Sequence, residues 1–230
     1  MPQTMPLVPL RDLVVFPGTT FQFVIGRPRS LRALDVASRR ENRVFLAVQR
    51  DKSIDDPGPG DVESVGSVCD IVQRMKHRHG ILCTIVQTLQ RSESPVQVLV
   101  NGLNRGCALE FRESQGLFEV AVEAVPREGE GSSGEPNAEL ASKVVAVFDR
   151  YVKLSRSRRG DEVLVALRGI ADAGRLADVI SSHLPINVER KQRLLETSSV
   201  REHLKRLLDI LQTEIDDSTE REPASRVEWP

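Results

Sequence analysis

VPLRDLVVFPGTTFQFVIGRPRSLRAL, Val8 to Leu34, decides how the amino-terminal half of this 230-residue chain is read. Two apolar runs, Leu13 to Phe16 and Phe21 to Ile25, are separated by Pro17-Gly18. Proline offers no ladder donor and glycine accepts positive φ, so the dipeptide predicts a turn between two strands. After Gly26 the Arg27-Pro28 pair places proline at a favoured first helical position, and Leu31, Leu34 and Ala37 follow at helical spacing before Arg39-Arg40-Glu41. Val44 to Val48 (VFLAV) is rich in strand formers and too short for a buried helix. A helix packed over a small sheet buries all of these apolar faces together.

Working outward, Arg50 to Gly66 carries an Asp-Pro-Gly-Pro-Gly cluster that suits neither helix nor ladder and predicts a surface loop. From Val68 to Arg105 three segments recur at fourteen-residue spacing: VCDIVQR (Val68 to Arg74), LCTIVQT (Leu82 to Thr88) and VQVLVNG (Val96 to Gly102). Each is short, β-branched and bounded by turn formers, which predicts three successive strands in a meander. Cys107 to Phe111 and Leu117 to Val125 read as two further strands. PREGEGSSGEPN, Pro126 to Asn137, has no large apolar side chain and reads as a flexible linker.

From Glu139 the apolar period becomes helical. Leu140, Val144, Val147, Tyr151 and Leu154 form one stripe. Asp161 to Ile170, Asp172 to Leu184 and Asn187 to Glu196 read as shorter helices separated by Gly169 and Pro185. Ser199 and Glu202 have capping-box spacing ahead of a long final helix to Asp216, whose apolar face carries Val200, Leu204, Leu207, Leu211 and Ile215. Its first half can be covered by the shorter helices. Leu211 and Ile215 are then either a self-association or docking seam, or are covered by the helix from Leu140 to Leu154 folding back. The expected organisation is α+β. A small amino-terminal β domain with one packed helix occupies residues 1–126, a linker 127–137, an α-helical bundle with a long terminal helix 138–217, and a disordered tail 218–230.

Composition excludes several classes. Net charge is −1 with 32 basic and 33 acidic residues, so nothing in the bulk balance favours nucleic acid or an anionic membrane. Three cysteines, Cys69, Cys83 and Cys107, form no CxxC pair, which points to buried free thiols in a reducing cytoplasm and to no bound metal. No stretch approaches the ~18 consecutive apolar residues that a membrane span requires. No GxxxxGK[ST] occurs, so nucleotide hydrolysis is not expected, and no cofactor is called for. Ser142-Lys143 and Lys52-Ser53 are sequence neighbours without the features of a catalytic dyad. His77, His79 and Cys83 fall in a basic turn that reads as solvated, and His183 and His203 read as ordinary helix residues.

VPLRDLVVFPG (Val8 to Gly18) with VIGRPRSLRAL (Val24 to Leu34) resembles the start of the amino-terminal, substrate-binding domain of Lon-type ATP-dependent proteases. Gln22 departs from the proline usual in that family. RLADVISSHLPI (Arg175 to Ile186), KQRLLE (Lys191 to Glu196) and VREHLKRLLDIL (Val200 to Leu211) are similar to its helical part, so the resemblance covers nearly the whole chain. The likeness implies that the β domain is a small PUA-like β-barrel with one packed helix, and that the chain is a non-catalytic region that recognises unfolded or degradation-tagged polypeptide and assembles with ATPase and protease domains. Candidate binding residues are Phe16, Phe21, Phe23, Arg27, Arg29 and Arg32. The alternative is an RNA-binding PUA-like module, supported by the arginine-bearing helix and by Lys76 to His79, and opposed by the neutral charge and the lack of stacking aromatics among these basics.

Overall fold

The computed structural model describes residues 2–76, 96–129, 135–155 and 158–221. The middle copy of the repeat, the turn at His77 to Gly80 and the tail beyond Arg221 lie outside these residues. The chain divides into two compact units, Met1–Val125 and Pro126–Pro230.

The first unit is a mixed sheet with one helix. Its elements are β1 (Gln3–Leu10), β2 (Thr20–Ile25), α1 (Pro28–Ser38), β3 (Arg43–Val48), β4 (Val65–Lys76), β5 (Val96–Ser114) and β6 (Leu117–Ala124). The strands pair in the order β2-β5-β4-β3-β1-β6, and because β5 also pairs β6 the path of pairings returns to β5. The β1–β3 pair is parallel, the others antiparallel.

The predicted first strand is displaced. Val14 to Phe16 are buried and Leu13 partly so, but the run is not a strand, and β1 lies upstream in a segment holding Pro6 and Pro9. Residues Gln3 to Pro6 pair β6 and Leu7 to Leu10 pair β3. Each half of β1 therefore needs ladder bonds on one side only, the edge-like condition under which a strand tolerates proline. The carbonyls of the displaced run go to side chains: Val15 accepts from the Ser67 hydroxyl (2.6 Å) and Phe16 from that of Thr19 (2.5 Å). Pro17-Gly18 forms the expected turn, with Gly18 at φ 69° and Thr19 N–H donating to the Phe16 carbonyl.

Copies one and three of the repeat are antiparallel partners, with Ile71 opposite Val100. The segments Val96 to Gly102 and Cys107 to Phe111, read as separate strands, are one continuous β5. This strand serves β2 and β4 at its start and β6 at its end, with register shifts along the β4 and β6 ladders. Both faces of β3 are covered. Val44 and Leu46 join a cluster with Leu31, Leu34 and Ala37 of α1, while Phe45 and Ala47 join Met5, Leu7, Phe118 and Val120. That double burial is why VFLAV is apolar without alternation.

The second unit is helical: α2 (Glu135–Ser155), α3 (Arg158–Leu167), α4 (Ala173–His183), α5 (Val188–Glu196) and α6 (Val200–Arg221). Asp172 and Asn187 cap α4 and α5 by accepting from the amides of Arg175 (2.7 Å) and Arg190 (2.9 Å). At α6 the amide of Val200 donates to the Glu128 carbonyl, and Glu202 pairs with Arg206 rather than closing a capping box. The segment read as a flexible linker thus begins as part of this unit. Arg127 is buried, Glu128 bridges to Ser199, and Glu135 opens α2. Residues 218–221, read as tail, continue α6. The whole is α+β, with a six-stranded mixed sheet and six α-helices among the described residues.

Candidate functional site

The surface that brings the sequence-flagged residues together is the start of α1, where β2 ends. Arg27 is its N-cap residue, but no side chain caps this terminus and no acidic residue stands in the first turn. The early amides of α1 are therefore without a side-chain acceptor, unlike those of α4 and α5. A cleft of about 710 Å³ opens here, lined by Arg11, Arg27, Arg29 and Arg32 with Asp55, Asp56 and Glu113. A narrower one of about 310 Å³, lined by Val24, Ile25 and Ser30 among others, shares Arg11, Gly26 and Arg27 with it.

Each arginine has a distinct setting. Arg11 pairs with Asp55. Arg29 is held between Asp56 (2.9 Å) and Glu113 (3.2 Å), and its guanidinium lies 4.3 Å from the Phe118 ring centroid. Arg27 donates from Nη2 to Gln49 Oε1 (2.9 Å), and Gln49 in turn donates to the carbonyls of Asp51 and Ile54, so a buried amide fixes both the loop and the arginine. Burial and then the nearby Arg11 lower the pKa of Arg27, while Asp55 and Asp56 oppose that shift. Arg32 makes no ion pair among the described residues, and its Nη1 lies where a side chain at Gly116 would stand. Arg40 reaches Glu119 across the unit.

The phenylalanines divide. Phe16 is fully buried, so its place among candidate contact residues is corrected: its ring is core. Phe21 and Phe23 are partly buried against the α1 cluster. Between and beyond them Thr20, Gln22 and Val24 face solvent, Val24 at 54% exposure, and among the described residues no strand pairs the outer edge of β2.

Leu211 and Ile215 are 0% and 1% exposed, and α6 packs along α2. The seam finds its partner inside the unit, which removes the basis for reading these two residues as a self-association surface. His203, read as an ordinary polar-face residue, is fully buried. Arg127 Nη2 donates to its Nδ1 (2.6 Å), which puts the ring proton on Nε2, facing the Ser181 hydroxyl (2.7 Å). Asp178 lies 3.4 Å from Arg127 Nη1.

The serine and lysine neighbours noted in the sequence are each engaged with other groups. Ser142 donates to the Ala138 carbonyl and Lys143 pairs with Glu139, while Lys52 pairs with Asp12. No group of His, Cys, Asp or Glu among them has metal-site geometry. No helix among them is long and apolar enough to cross a membrane. His77, His79 and Cys83 lie outside the described residues.

Residues 4–213 match the family of the ATP-dependent protease La (LON) substrate-binding domain. The chain belongs to this family. The matched region of Lon is the substrate-binding domain and not a catalytic one. The chain is 36% identical over 209 residues to the Lon protease of Bacillus thuringiensis and 33% identical over 211 residues to that of Escherichia coli. It covers 91% and 92% of its own length in these matches but 24% and 25% of theirs, so it spans about a quarter of these Lon proteases. Two solved Lon amino-terminal domains share the fold. The one from the Mycobacterium avium complex superposes with a TM-score of 0.69 over 91% of this chain and 98% of that domain at 20% identity. The one from Xanthomonas campestris gives 0.58 over 90% and 98% at 16% identity.

Several members of the Lon-domain cleft were not evident in the sequence. Arg11 lies in VPLRDLVVFPG and Ser30 in VIGRPRSLRAL, so their place in the two family-like stretches was the available signal. Asp55, Asp56 and Glu113 had none, because they approach α1 only through the loop after β3 and the end of β5.

Proposed function

We propose that this chain is a substrate-recognition region that captures unfolded or degradation-tagged polypeptide for proteolysis, and that it performs no chemistry itself. The observation that carries this reading is the match to a substrate-binding domain over nearly the entire chain. The outer edge of β2, which no strand pairs among the described residues, supports it, because such an edge offers backbone hydrogen bonds to any extended chain whatever its sequence. Phe21, Phe23 and Val24 on that strand supply apolar contact, and Arg27, Arg29 and Arg32 lie at its end. The path of strand pairings that returns to β5 agrees with a small PUA-like β-barrel as the platform. In a longer polypeptide with ATPase and peptidase domains, a cytoplasmic quality-control protease, this region holds the client while those domains act.

Fluorescence anisotropy with a chemically unfolded, carboxymethylated protein tests the proposal. Saturable binding to the unfolded client, absent for the same protein when native, is expected, with no ATP hydrolysis and no peptide cleavage by the purified chain. Turnover of either substrate, or no preference for the unfolded client, overturns it. The RNA-binding alternative finds little support at α1 and just beyond it, since Arg29 and Arg40 are already paired with carboxylates.

A further inference from the structure

We infer that the cleft at the start of α1 is a carboxylate site, which receives an internal Asp or Glu side chain of a client polypeptide passing the end of β2. This rests on the polypeptide-binding reading above and refines it. Three observations converge on an anion. The terminus of α1 lacks a side-chain cap and any first-turn acid, leaving its amides for an external acceptor. Ser30, in that first turn, lines the narrower cleft at 3% exposure, and its hydroxyl makes no hydrogen bond among the described residues. With no protein partner among these residues and not among the sealed unpartnered polar atoms, its oxygen opens onto the cleft, where a ligand atom can meet it. Arg27 donates from Nη2 alone, held in place by Gln49, and Arg32 is unpaired among the described residues.

Charge selects the kind of anion. Four arginines and three carboxylates line the larger cleft, leaving one positive charge. A monoanionic carboxylate is matched by that excess, whereas a phosphate dianion or a nucleic-acid backbone would meet Asp55, Asp56 and Glu113 at close range. The two clefts share Arg11, Gly26 and Arg27, which makes a continuous depression from Val24 to Gly116. A chain can pass along it rather than end in it, which favours a side-chain carboxylate over a chain terminus.

The test uses a short fluorescent peptide of apolar residues with a central glutamate and both ends blocked, and its glutamine counterpart. The glutamate peptide should bind the purified chain about tenfold more tightly, the scale of one hydrogen-bonded charge. Ser30→Ala and Arg32→Gln should each shrink that preference while leaving the glutamine peptide unchanged. Ser30→Ala removes a hydroxyl that holds nothing in the free protein, so its melting temperature should match the parent. Equal affinity for the two peptides, or a preference untouched by both substitutions, overturns the carboxylate site while leaving polypeptide binding intact. Failure of both peptides to bind, with the unfolded client also unbound, refutes the underlying reading instead. Displacement of the glutamate peptide by inorganic phosphate at lower concentration than by acetate, or restored affinity of the glutamine peptide when its carboxyl end is freed, also overturns the assignment.

Discussion

Arg127 shows how much a single residue contributes in the helical unit. It is buried beside Asp178 and His203, and it carries the start of this unit into the interior between α4 and α6. Asp178→Ala removes a carboxylate beside a buried guanidinium, and we expect a loss of about 3–5 kcal/mol in urea unfolding followed by helical circular dichroism. Replacing the pair together, Arg127→Met with Asp178→Leu, should cost clearly less, because the two opposite buried charges are removed as a pair. Cys69 makes a different residue-scale prediction. Its burial, and to a lesser degree Asp70, push the thiol well above its ordinary value of 9.0. Above pH 9.0 the unfolded chain releases this proton while the folded chain keeps it, so stability falls as pH rises. The slope contributed approaches ~1.4 kcal/mol per pH unit. Cys69→Val should remove that component, read as a smaller alkaline loss in melting temperature than the parent shows.

The decisive elements are those whose neighbours are distant in sequence. The apolar period of α6 was plain in the sequence, and so were its two alternatives, an external partner or the helix beginning near Leu140. Periodicity gives the face of a helix but not what covers it, since a stripe of leucines is equally satisfied by either. With α2 packed along α6, Leu211→Asp with Ile215→Asp should unfold the helical unit, at several kcal/mol. A normally folded double variant of reduced sedimenting mass would instead restore the association reading. In this Lon domain β1 fails the local rules because of Pro6 and Pro9, while Leu13 to Phe16 satisfies them and is not a strand. Local propensity registers the missing proline donor, but it cannot register that each half of β1 has one ladder neighbour.

At the scale of the molecule, the division falls at Val125 and Pro126, whereas composition alone places the linker through Asn137. The two positions make different fragments. Residues 126–230 should keep native helical content and a melting transition close to that of the unit in the full chain. Residues 138–230 should be distinctly less stable, having lost Arg127 from beside Asp178 and His203 and the Glu128 carbonyl from the start of α6. Circular dichroism melts of the two fragments decide this, and equal stability would return the boundary to the compositional one. What the sequence by itself determined is the α+β class, the β-then-helical order, the turn at Pro17-Gly18, α1 and the family, because periods, turn residues and ordered motifs are local and survive in one dimension. Tertiary structure alone decided the rest: the pairing of β1, the union of β5, the burial of Phe16, His203 and Leu211, and the meeting of Asp55, Asp56 and Glu113 with the arginines of α1. These depend on which distant segments come together, and no local period encodes that choice.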